Sequence, residues 1–367
     1  MIIVTGGAGF IGSNLVHELN AAGYSDILVV DNLSTSPSPA RQKIAAHPER
    51  KFLNLDGAKF ADYLDKTEFR SALAAGHFAN TPIRAILHQG ACSNTLEDDG
   101  RYMMDNNFTA SKEILHFALD RSIPLVYAST AAVYGASQNF APIPANEHPL
   151  NIYGWSKLVF DNYLRRLLTA DPRAADSHPS IHSTVVGLRY FNVYGPREQH
   201  KGRMASVLHH FTAQLKDTGT IRMFEGSGGY ANGEQRRDFV YVRDLCRINL
   251  FFAGLLNESA ISAGPTAAGG LEKPASSNIS GTAATNPTTI YRGIVNAGTG
   301  QATTFKAIAE ALFATHNIPG RIEYIPFPPD LAGRYQHFTQ ADITSLRALG
   351  YASAFTEPET AIRETFA

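Results

Sequence analysis

The hydrophobic positions of the first 31 residues form two short runs with an amphipathic segment between them. The runs, residues 2–4 and 27–30, are rich in β-branched residues and have the length of buried strands. Between them, Ile11, Leu15 and Leu19 recur at a spacing that places them on one face of a helix. The pattern therefore predicts a strand, a helix and a second strand.

Hydrophobic runs and amphipathic segments continue to alternate up to about residue 190. We expect further strands at 51–56, 83–88, 124–129 and 183–189, and helices at 60–75, 102–122 and 151–168. This alternation predicts an α/β fold with a Rossmann-like, doubly wound parallel sheet, in which ligands bind at the carboxyl ends of the strands.

After residue 190 the predicted segments become shorter and the loops longer, which indicates a smaller C-terminal α/β lobe. We assign residues 1–190, with parts of 238–250 and 290–300, to the sheet domain, and 191–237 and 301–367 to the lobe. A strand is expected at 293–297. Residues 259–289 contain almost no large apolar side chains, so we expect a flexible insertion there.

Composition and charge restrict the class of protein. The chain has 367 residues, of which 44% are hydrophobic and 18% charged, and its net charge is −1. Neither a nucleic acid nor a membrane surface is expected as a partner. The two cysteines suit a reducing compartment. Because the first strand begins at residue 2 and no long apolar run is present, we expect a cytoplasmic protein.

Three glycines follow the first strand in the order Gly6-x-x-Gly9-x-x-Gly12. The first permits a tight turn, the second lets a pyrophosphate approach the backbone, and the third lets the helix pack closely on the strand. Asp31 ends the second strand, 19 residues after Gly12, where a carboxylate would meet a ribose. The arrangement predicts a dinucleotide-binding unit.

A second constellation combines Tyr153, Lys157 and Thr130. The tyrosine and lysine lie four residues apart and share one helix face. A nearby ammonium and an oxidised nicotinamide would both favour the phenolate, so we expect a lowered pKa for Tyr153. Thr130 ends the predicted fifth strand and could donate to a substrate oxygen while Tyr153 takes or gives a proton.

Together these motifs resemble the extended short-chain dehydrogenase/reductase family, which includes nucleotide-sugar epimerases and dehydratases. Residues 88–93, 102–107, 189–202 and 333–342 are similar to the branch that epimerises ADP-heptose at C6, for the lipopolysaccharide inner core. The resemblance implies an isomerase that oxidises C6 of ADP-D-glycero-β-D-manno-heptose transiently with bound NADP. It also implies a homo-oligomer, a homopentamer in this branch.

The resemblance also assigns cofactor contacts. They are Gly6, Gly9, Phe10, Ile11, Gly12, Asp31, Asn32, Lys51, Lys66, Gln89, Gly90, Ala91, Cys92, Ser93, Asn106, Lys157, Val193 and Lys201. Asp31 alone would favour NAD, because a carboxylate repels a 2′-phosphate, but a basic cluster of Arg41, Lys43, Lys51 and Lys66 could screen that charge. Local chemistry leaves the choice open, and the resemblance favours a tightly bound NADP.

Substrate contacts are assigned in the same way. They are Asn192, Arg203, His210, Phe224, Glu225, Gly226, Ser227, Arg237 and Tyr335. Arg203 and Arg237 suit a diphosphate, since guanidinium groups donate in pairs. The resemblance makes Lys201 the second acid-base group beside Tyr153. His209 and His210 lack a third ligand at metal spacing, so no metal is expected.

Rival functions remain. A sugar 4,6-dehydratase usually carries Asp-Glu after the active-site hydroxyl, whereas Ala131 and Ala132 follow Thr130 here. A UDP-hexose 4-epimerase is disfavoured by the segments of the smaller lobe. A non-catalytic, NADP-sensing binding protein would usually lack the tyrosine or the lysine.

Overall fold

A seven-stranded parallel sheet forms the centre of the computed structural model, which describes residues 1–34, 50–169, 181–256, 289–328 and 335–366. The described strands are β1 (Ile2–Thr5), β2 (Ile27–Val30), β3 (Asp62–Leu64), β4 (Ala85–His88), β5 (Leu125–Thr130), β6 (Val185–Tyr190), β7 (Asn192–Tyr194), β8 (Thr220–Phe224), β9 (Arg236–Arg237), β10 (Phe239–Tyr241), β11 (Arg292–Ala297), β12 (Thr303–Thr304) and β13 (Arg321–Ile325). Strands β1–β6 and β11 make up the central sheet.

The described helices connect these strands. They are α1 (Phe10–Ala21), α2 (Lys66–Ala74), α3 (Gly100–Met104), α4 (Ala110–Asp120), α5 (Ile152–Thr169), α6 (Val207–Thr218), α7 (Val242–Phe252), α8 (Phe305–His316), α9 (Thr344–Ala348) and α10 (Pro358–Phe366). A π-helical turn at Asp105–Thr109 joins α3 to α4, so the helix predicted at 102–122 is present with a widened turn inside it.

The order of the strands confirms the doubly wound class. It is β11-β6-β5-β4-β1-β2-β3, and every pair is parallel. From β1 the chain moves outward through β2 and β3, and then returns to the other side of β1 as β4. The carboxyl ends of β1 and β4 therefore flank the topological switch point, where such sheets bind ligands.

The side chains of the buried strands alternate between two hydrophobic cores, one on each face of the sheet. Ile2 and Val4 of β1 belong to the core that includes Leu15 of α1, whereas Ile3 belongs to the core that includes Phe69 of α2 and Leu115 of α4. Successive side chains of a strand point to opposite faces, so each strand contributes to both cores. The two layers of helices hold the carboxyl edge of the sheet in place.

The predicted third strand at 51–56 is wrong. Lys51–Leu55 is a 3₁₀ helix, and the strand that pairs with β2 is Asp62–Leu64, inside the stretch predicted to be helical. The helix starts only at Lys66, because Asp65 accepts from the Thr67 backbone N–H and forms a capping box with Glu68. Side-chain capping, rather than hydrophobic spacing, sets this boundary.

The strands outside the central sheet form three small pairs. β7 pairs with β10 and β8 with β13 in parallel, while β9 and β12 are antiparallel. Residues 259–288 of the expected insertion, like Arg41 and Lys43, lie outside the described part of the chain. Among the described helices, none has the length and apolar character needed to cross a membrane.

Candidate functional site

The turn after β1 touches the turn after β4. Gly6 has φ +65°, and a Cβ there would lie 2.8 Å from the backbone nitrogen of Gly90. A Cβ on Gly12 would lie 2.1 Å from the carbonyl oxygen of Gly6. Both positions therefore require glycine. Gly6 needs it for its positive φ and its close approach to Gly90, and Gly12 needs it to pack against the turn.

Helix α1 begins at this turn with open backbone donors. Gly9 is its N-cap residue and offers no side chain to cap the first turn. Gly9, Phe10, Ile11 and Gly12 line a cavity in front of the helix. Free N–H groups and the positive end of the helix dipole suit an anionic group such as a pyrophosphate.

Two adjoining cavities follow the carboxyl edge of the sheet. The first, of about 450 Å³, lies beside the ends of β1, β2 and β4, and the second, of about 440 Å³, lies beside the ends of β1, β5 and β6. His200, Lys201 and Met204 line both cavities. The two cavities thus form a single crevice across the switch point, as expected for an extended ligand.

The first cavity gathers one group of the predicted cofactor residues. It is lined by Gly6, Asp31, Asn32, Lys66, Gly90, Ala91, Cys92, Ser93, Asn106, Lys201 and also Arg203. Lys66 Nζ donates to Asn106 Oδ1 at 2.6 Å, which ties α2 to the π-helical turn. Arg203, predicted to contact the substrate, thus lies in the structure beside the predicted cofactor residues.

Asp31 is buried and fully partnered. Lys51 Nζ forms an ion pair with Asp31 Oδ1 at 2.6 Å, and the backbone N–H groups of Ala8 and Leu33 donate to the same carboxylate. Lys51, one member of the basic cluster named from the sequence, therefore compensates the charge of Asp31.

The second cavity gathers the predicted catalytic groups. Thr130, Tyr153, Lys157 and Lys201 all line it, together with Gly6, Gly9, Phe10, Ile11, Gly12, Gln89, Ala91, Ser93, Asn192 and Val193. The side chain of Thr130 lies close enough to the phenol of Tyr153 to influence its pKa. Lys157 is buried, and its Nζ donates to the carbonyl oxygen of Ala128 at 2.8 Å.

Burial controls the ionisation of the tyrosine and the lysine. It raises the pKa of Tyr153 above its usual value, and the side chain of Thr130 opposes this shift. In the protein alone, the pKa of Tyr153 is therefore raised, because the loss of solvent outweighs the effect of Thr130. The lowered pKa expected beside an oxidised nicotinamide stays a prediction. Burial also lowers the pKa of Lys157 to about 8.

Lys201 approaches the same cavity from the opposite side. It lies in a 3₁₀ helix at Gln199–Met204, and its Nζ lies 5.2 Å from the centre of the Phe10 ring, at the start of α1. Burial lowers the pKa of Lys201, and the charge of Glu198 opposes this shift. A lowered pKa makes the ammonium group of Lys201 a stronger acid.

Comparisons with known proteins identify the family. The model of the NAD dependent epimerase/dehydratase family matches residues 2–261. The chain belongs to the NAD-dependent epimerase/dehydratase family. The family's description gives a nicotinamide cofactor, for which the glycine turn, the uncapped α1 and the paired Asp31 form a fitting site.

Within this family, the chain is similar to individual proteins that are named as sugar epimerases. The chain is 49% identical over 363 residues to a curated ADP-L-glycero-D-manno-heptose-6-epimerase of Alkalilimnicola ehrlichii, covering 99% of this chain and 95% of that protein. Its fold is similar to the crystal structure of ADP-L-glycero-D-manno-heptose-6-epimerase from Helicobacter pylori, with a TM-score of 0.73, 26% identity and coverage of 99% and 94%. It is also similar to UDP-glucose 4-epimerase from Thermotoga maritima, with a TM-score of 0.68, 25% identity and coverage of 100% and 97%.

In this epimerase-family chain, the remaining predicted substrate residues lie beyond the second cavity. Arg237 is buried, with its guanidinium 4.7 Å from the centre of the Tyr335 ring and 5.9 Å from that of Phe305, which lines the cavity. Phe224 contacts Phe327, which contacts Tyr335. Arg237 thus connects the second cavity with an aromatic cluster.

The segment after β8 borders the same cluster. Glu225 is exposed, and its carbonyl oxygen accepts from the side chain of Gln235. Gly226 N–H donates to Asn232, and Ser227 Oγ lies 3.2 Å from His337 Nδ1. His210 is partly buried on α6, and burial lowers its pKa. Its role in substrate binding stays a prediction.

Sequence reasoning missed three polar groups in the crevice. His200 lines both cavities, with Nδ1 2.9 Å from Asn54 Nδ2, and burial lowers its pKa to about 4. Tyr190 lines the second cavity, and its hydroxyl donates to Gln89. Both lie in the 189–202 stretch that carried the resemblance, so that stretch was the available signal.

The third missed group, His88, has a defined tautomer. Gly90 N–H donates to Thr5 Oγ1, whose hydroxyl lies 2.6 Å from His88 Nδ1. Ser111 donates to the carbonyl of Asn107, which leaves Ser111 Oγ to accept from His88 Nε2 at 2.9 Å. His88 is therefore neutral with its proton on Nε2, in agreement with a pKa lowered to about 3 by burial. No metal-binding cluster occurs among the described residues.

Proposed function

We propose that this protein is an ADP-heptose 6-epimerase, an isomerase that converts ADP-D-glycero-β-D-manno-heptose into the L-glycero epimer for inner-core heptose synthesis. The observation that carries the proposal is the convergence of Thr130, Tyr153, Lys157 and Lys201 on one cavity in front of α1. The name of the relative that is 49% identical supports the choice of substrate.

The bound cofactor is proposed to be NADP, tightly held, with NAD the weaker candidate. When bound, its nicotinamide accepts a hydride from the sugar carbon and returns it. The pairing of Lys51 with Asp31 supports NADP, because it leaves no uncompensated carboxylate at the end of β2. Lys66, which also lines the first cavity, adds positive charge to the same region.

Epimerisation at C6 requires two proton-transfer groups. As hydride leaves C6, one group takes the hydroxyl proton, and the sugar becomes a ketone. The ketone then presents its other face, hydride returns to C6, and an acid protonates the oxygen. Tyr153 and Lys201 line the same cavity and are proposed as these two groups, with Thr130 donating to the oxygen.

The substrate contacts follow from its diphosphate. Arg237 is buried between Phe305 at the catalytic cavity and Tyr335 in the aromatic cluster. A guanidinium in this position is proposed to hold the diphosphate, with the sugar toward Tyr153. Asn192, His210 and residues 224–227 complete the proposed substrate set.

The test is conversion of the D-glycero substrate by the purified protein without added cofactor, followed at C6 by NMR. Tyr153→Phe is expected to reduce kcat at least about 100-fold, and Lys201→Met is expected to reduce it similarly. Tyr163→Phe changes a tyrosine on the same helix that contacts His116, so it is the matched control and should retain activity.

Two other results would overturn the proposal. Turnover of UDP-galactose in place of the heptose would keep the fold and Tyr153 but reject the substrate. A protein that retains its cofactor and converts neither sugar would instead be the non-catalytic, cofactor-sensing protein considered from the sequence.

A further inference from the structure

The end of β5 is attached to helix α5 at two successive residues. Lys157 Nζ donates to Ala128 O at 2.8 Å, and Ser129 Oγ donates to Asp161 Oδ2 at 2.9 Å. The first contact involves a proposed catalytic residue. The second involves Asp161, which does not line either cavity.

Asp161 is fully buried and has a full set of donors. Tyr127 donates to Oδ1 at 3.0 Å, while Ser129 and Arg189 Nε and Nη2 donate to Oδ2 at 2.9, 3.0 and 2.8 Å. A buried carboxylate is retained only with such partners. Asp161 follows Lys157 by four residues and therefore lies on the same face of α5.

We propose that Asp161 is a positioning residue, whose carboxylate holds the end of β5 on α5 and keeps the side chain of Lys157 charged beside the reacting groups. The inference rests on the proposed function only in the step that links Lys157 to catalysis. Arg189, held in turn by Glu147 at 2.7 Å, fixes the carboxylate in its place.

The charges around Lys157 support this role. Burial lowers the pKa of Lys157 to about 8, and the charge of Asp161 acts in the opposite direction. The other titratable groups near Lys157 are Cys92 and the neutral His88. Tyr153, Tyr190, His200 and Lys201 line the same cavity. Those that face Asp161 are Tyr127 and Arg189, with Glu147 and Arg165 behind Arg189. Asp161 is the carboxylate that favours the ammonium.

The experiment measures the titration of Lys157 in the purified holoenzyme by NMR of ¹³Cε-labelled lysine, from about pH 6 to about pH 11. The Lys157 signal is identified by its absence in Lys157→Arg. In Asp161→Asn, which removes the charge and keeps the size, the midpoint is expected to fall by about one pH unit or more.

Glu147→Gln is the matched control. It also removes one carboxylate from the buried network, but Glu147 pairs with Arg165 and Arg189 rather than facing Lys157. In Glu147→Gln, the titration midpoint of Lys157 should stay at the wild-type value. An unchanged midpoint in Asp161→Asn, or an equal fall in Glu147→Gln, would overturn the proposal.

If Asp161→Asn does not fold, the double variant Asp161→Asn, Arg189→Gln provides the same test. It replaces a buried ion pair with a neutral pair and leaves Glu147 with Arg165. The charge effects on Lys157 come from Asp161 and Cys92, so the midpoint should still fall. A midpoint equal to wild type would reject the inference.

A second readout is the pH dependence of kcat with the heptose substrate. Because the charged form of Lys157 is the active one, a lower midpoint moves the alkaline loss of kcat to lower pH, by the same amount as the NMR midpoint. An alkaline limb that does not move with the NMR midpoint would remove the link to catalysis. If the wild-type protein does not convert the heptose, the proposed function fails, while the NMR titration still decides the role of Asp161.

Discussion

At the residue scale, the ion pair between Asp31 and Lys51 is the feature on which the proposed preference for NADP rests. The carboxylate is 3% exposed, and Lys51 Nζ lies 2.6 Å from it. The two opposite charges compensate each other, so the proposed 2′-phosphate would meet less repulsion here than beside an unpaired carboxylate.

Lys51→Met should weaken NADP binding by at least about 10-fold, and NAD binding by much less, because Asp31 would then repel the 2′-phosphate. Dissociation constants of the two cofactors, measured by calorimetry on cofactor-free protein, test this. Lys59→Met, an exposed lysine eight residues further along, is the matched control and should change neither constant. An equal loss of affinity for both cofactors would show that Lys51 stabilises the site in general and does not act specifically on the 2′-phosphate.

The sequence predicted correctly which residues lie close together where their spacing along one helix dictates it. Tyr153 and Lys157 share a helix face at any position in a fold, and both line the cavity. The prediction for the Tyr153 pKa left out burial, because burial depends on how much solvent the surrounding elements exclude. His200 was missed for the same reason, since its position across the switch point follows from tertiary packing.

At the element scale, β1, α1 and the turn between them form a tightly packed unit. Successive side chains of β1 pack in the two different cores. The first turn of α1 lies in contact with the glycine turn that precedes it. Only a hydrogen atom fits between Gly12 and the carbonyl oxygen of Gly6. The position of the N-terminus of α1 over the crevice therefore depends on this glycine.

Gly12→Ala should lower the free energy of unfolding by about 1–3 kcal/mol and prevent cofactor retention, since the added methyl pushes α1 away from the turn. Chemical denaturation and the absorbance of bound cofactor measure the two effects. Gly100→Ala is the matched control, because its Cβ would meet only Ile152 Cδ1 at 4.0 Å. A Gly12→Ala protein that keeps both stability and cofactor would refute the packing argument.

The sequence predicted the presence of the strands and helices better than it predicted where they begin and end. The strand expected at 51–56 is a 3₁₀ helix whose Asn54 side chain donates to the Ala8 carbonyl. The true β3 is only three residues long and is defined by pairing with β2. Such a short strand has too little periodicity to be distinguished from the start of the following helix.

At the scale of the whole molecule, the order of the strands creates the site. Residues from β1, β4, β5 and β6, far apart in the chain, meet at one edge because β4 returns beside β1. The predicted division into a sheet domain and a smaller lobe, the cytoplasmic location and the homopentamer remain predictions.

The protein is expected to be a homo-oligomer, with a mass of roughly 200 kDa for five chains. Light scattering coupled to size-exclusion chromatography measures this, on the holoenzyme and at several protein concentrations. Trp155 is exposed on α5 and gives a probe, since its fluorescence should change if the surface around Trp155 lies in an interface. A mass equal to that of one chain at all concentrations would contradict the prediction.

The sequence by itself determined the fold class, the dinucleotide turn and the Tyr153–Lys157 pair, because these follow from local periodicity and from short spacings along one element. The tertiary structure alone decided that Lys51 pairs with Asp31, that Lys201 reaches the cavity of Tyr153, and that Asp161 lies in a buried network between β5, β6 and α5. Each of these depends on elements distant in the chain. Their contacts, and the burial that shifts the pKa values, exist only once the sheet is assembled.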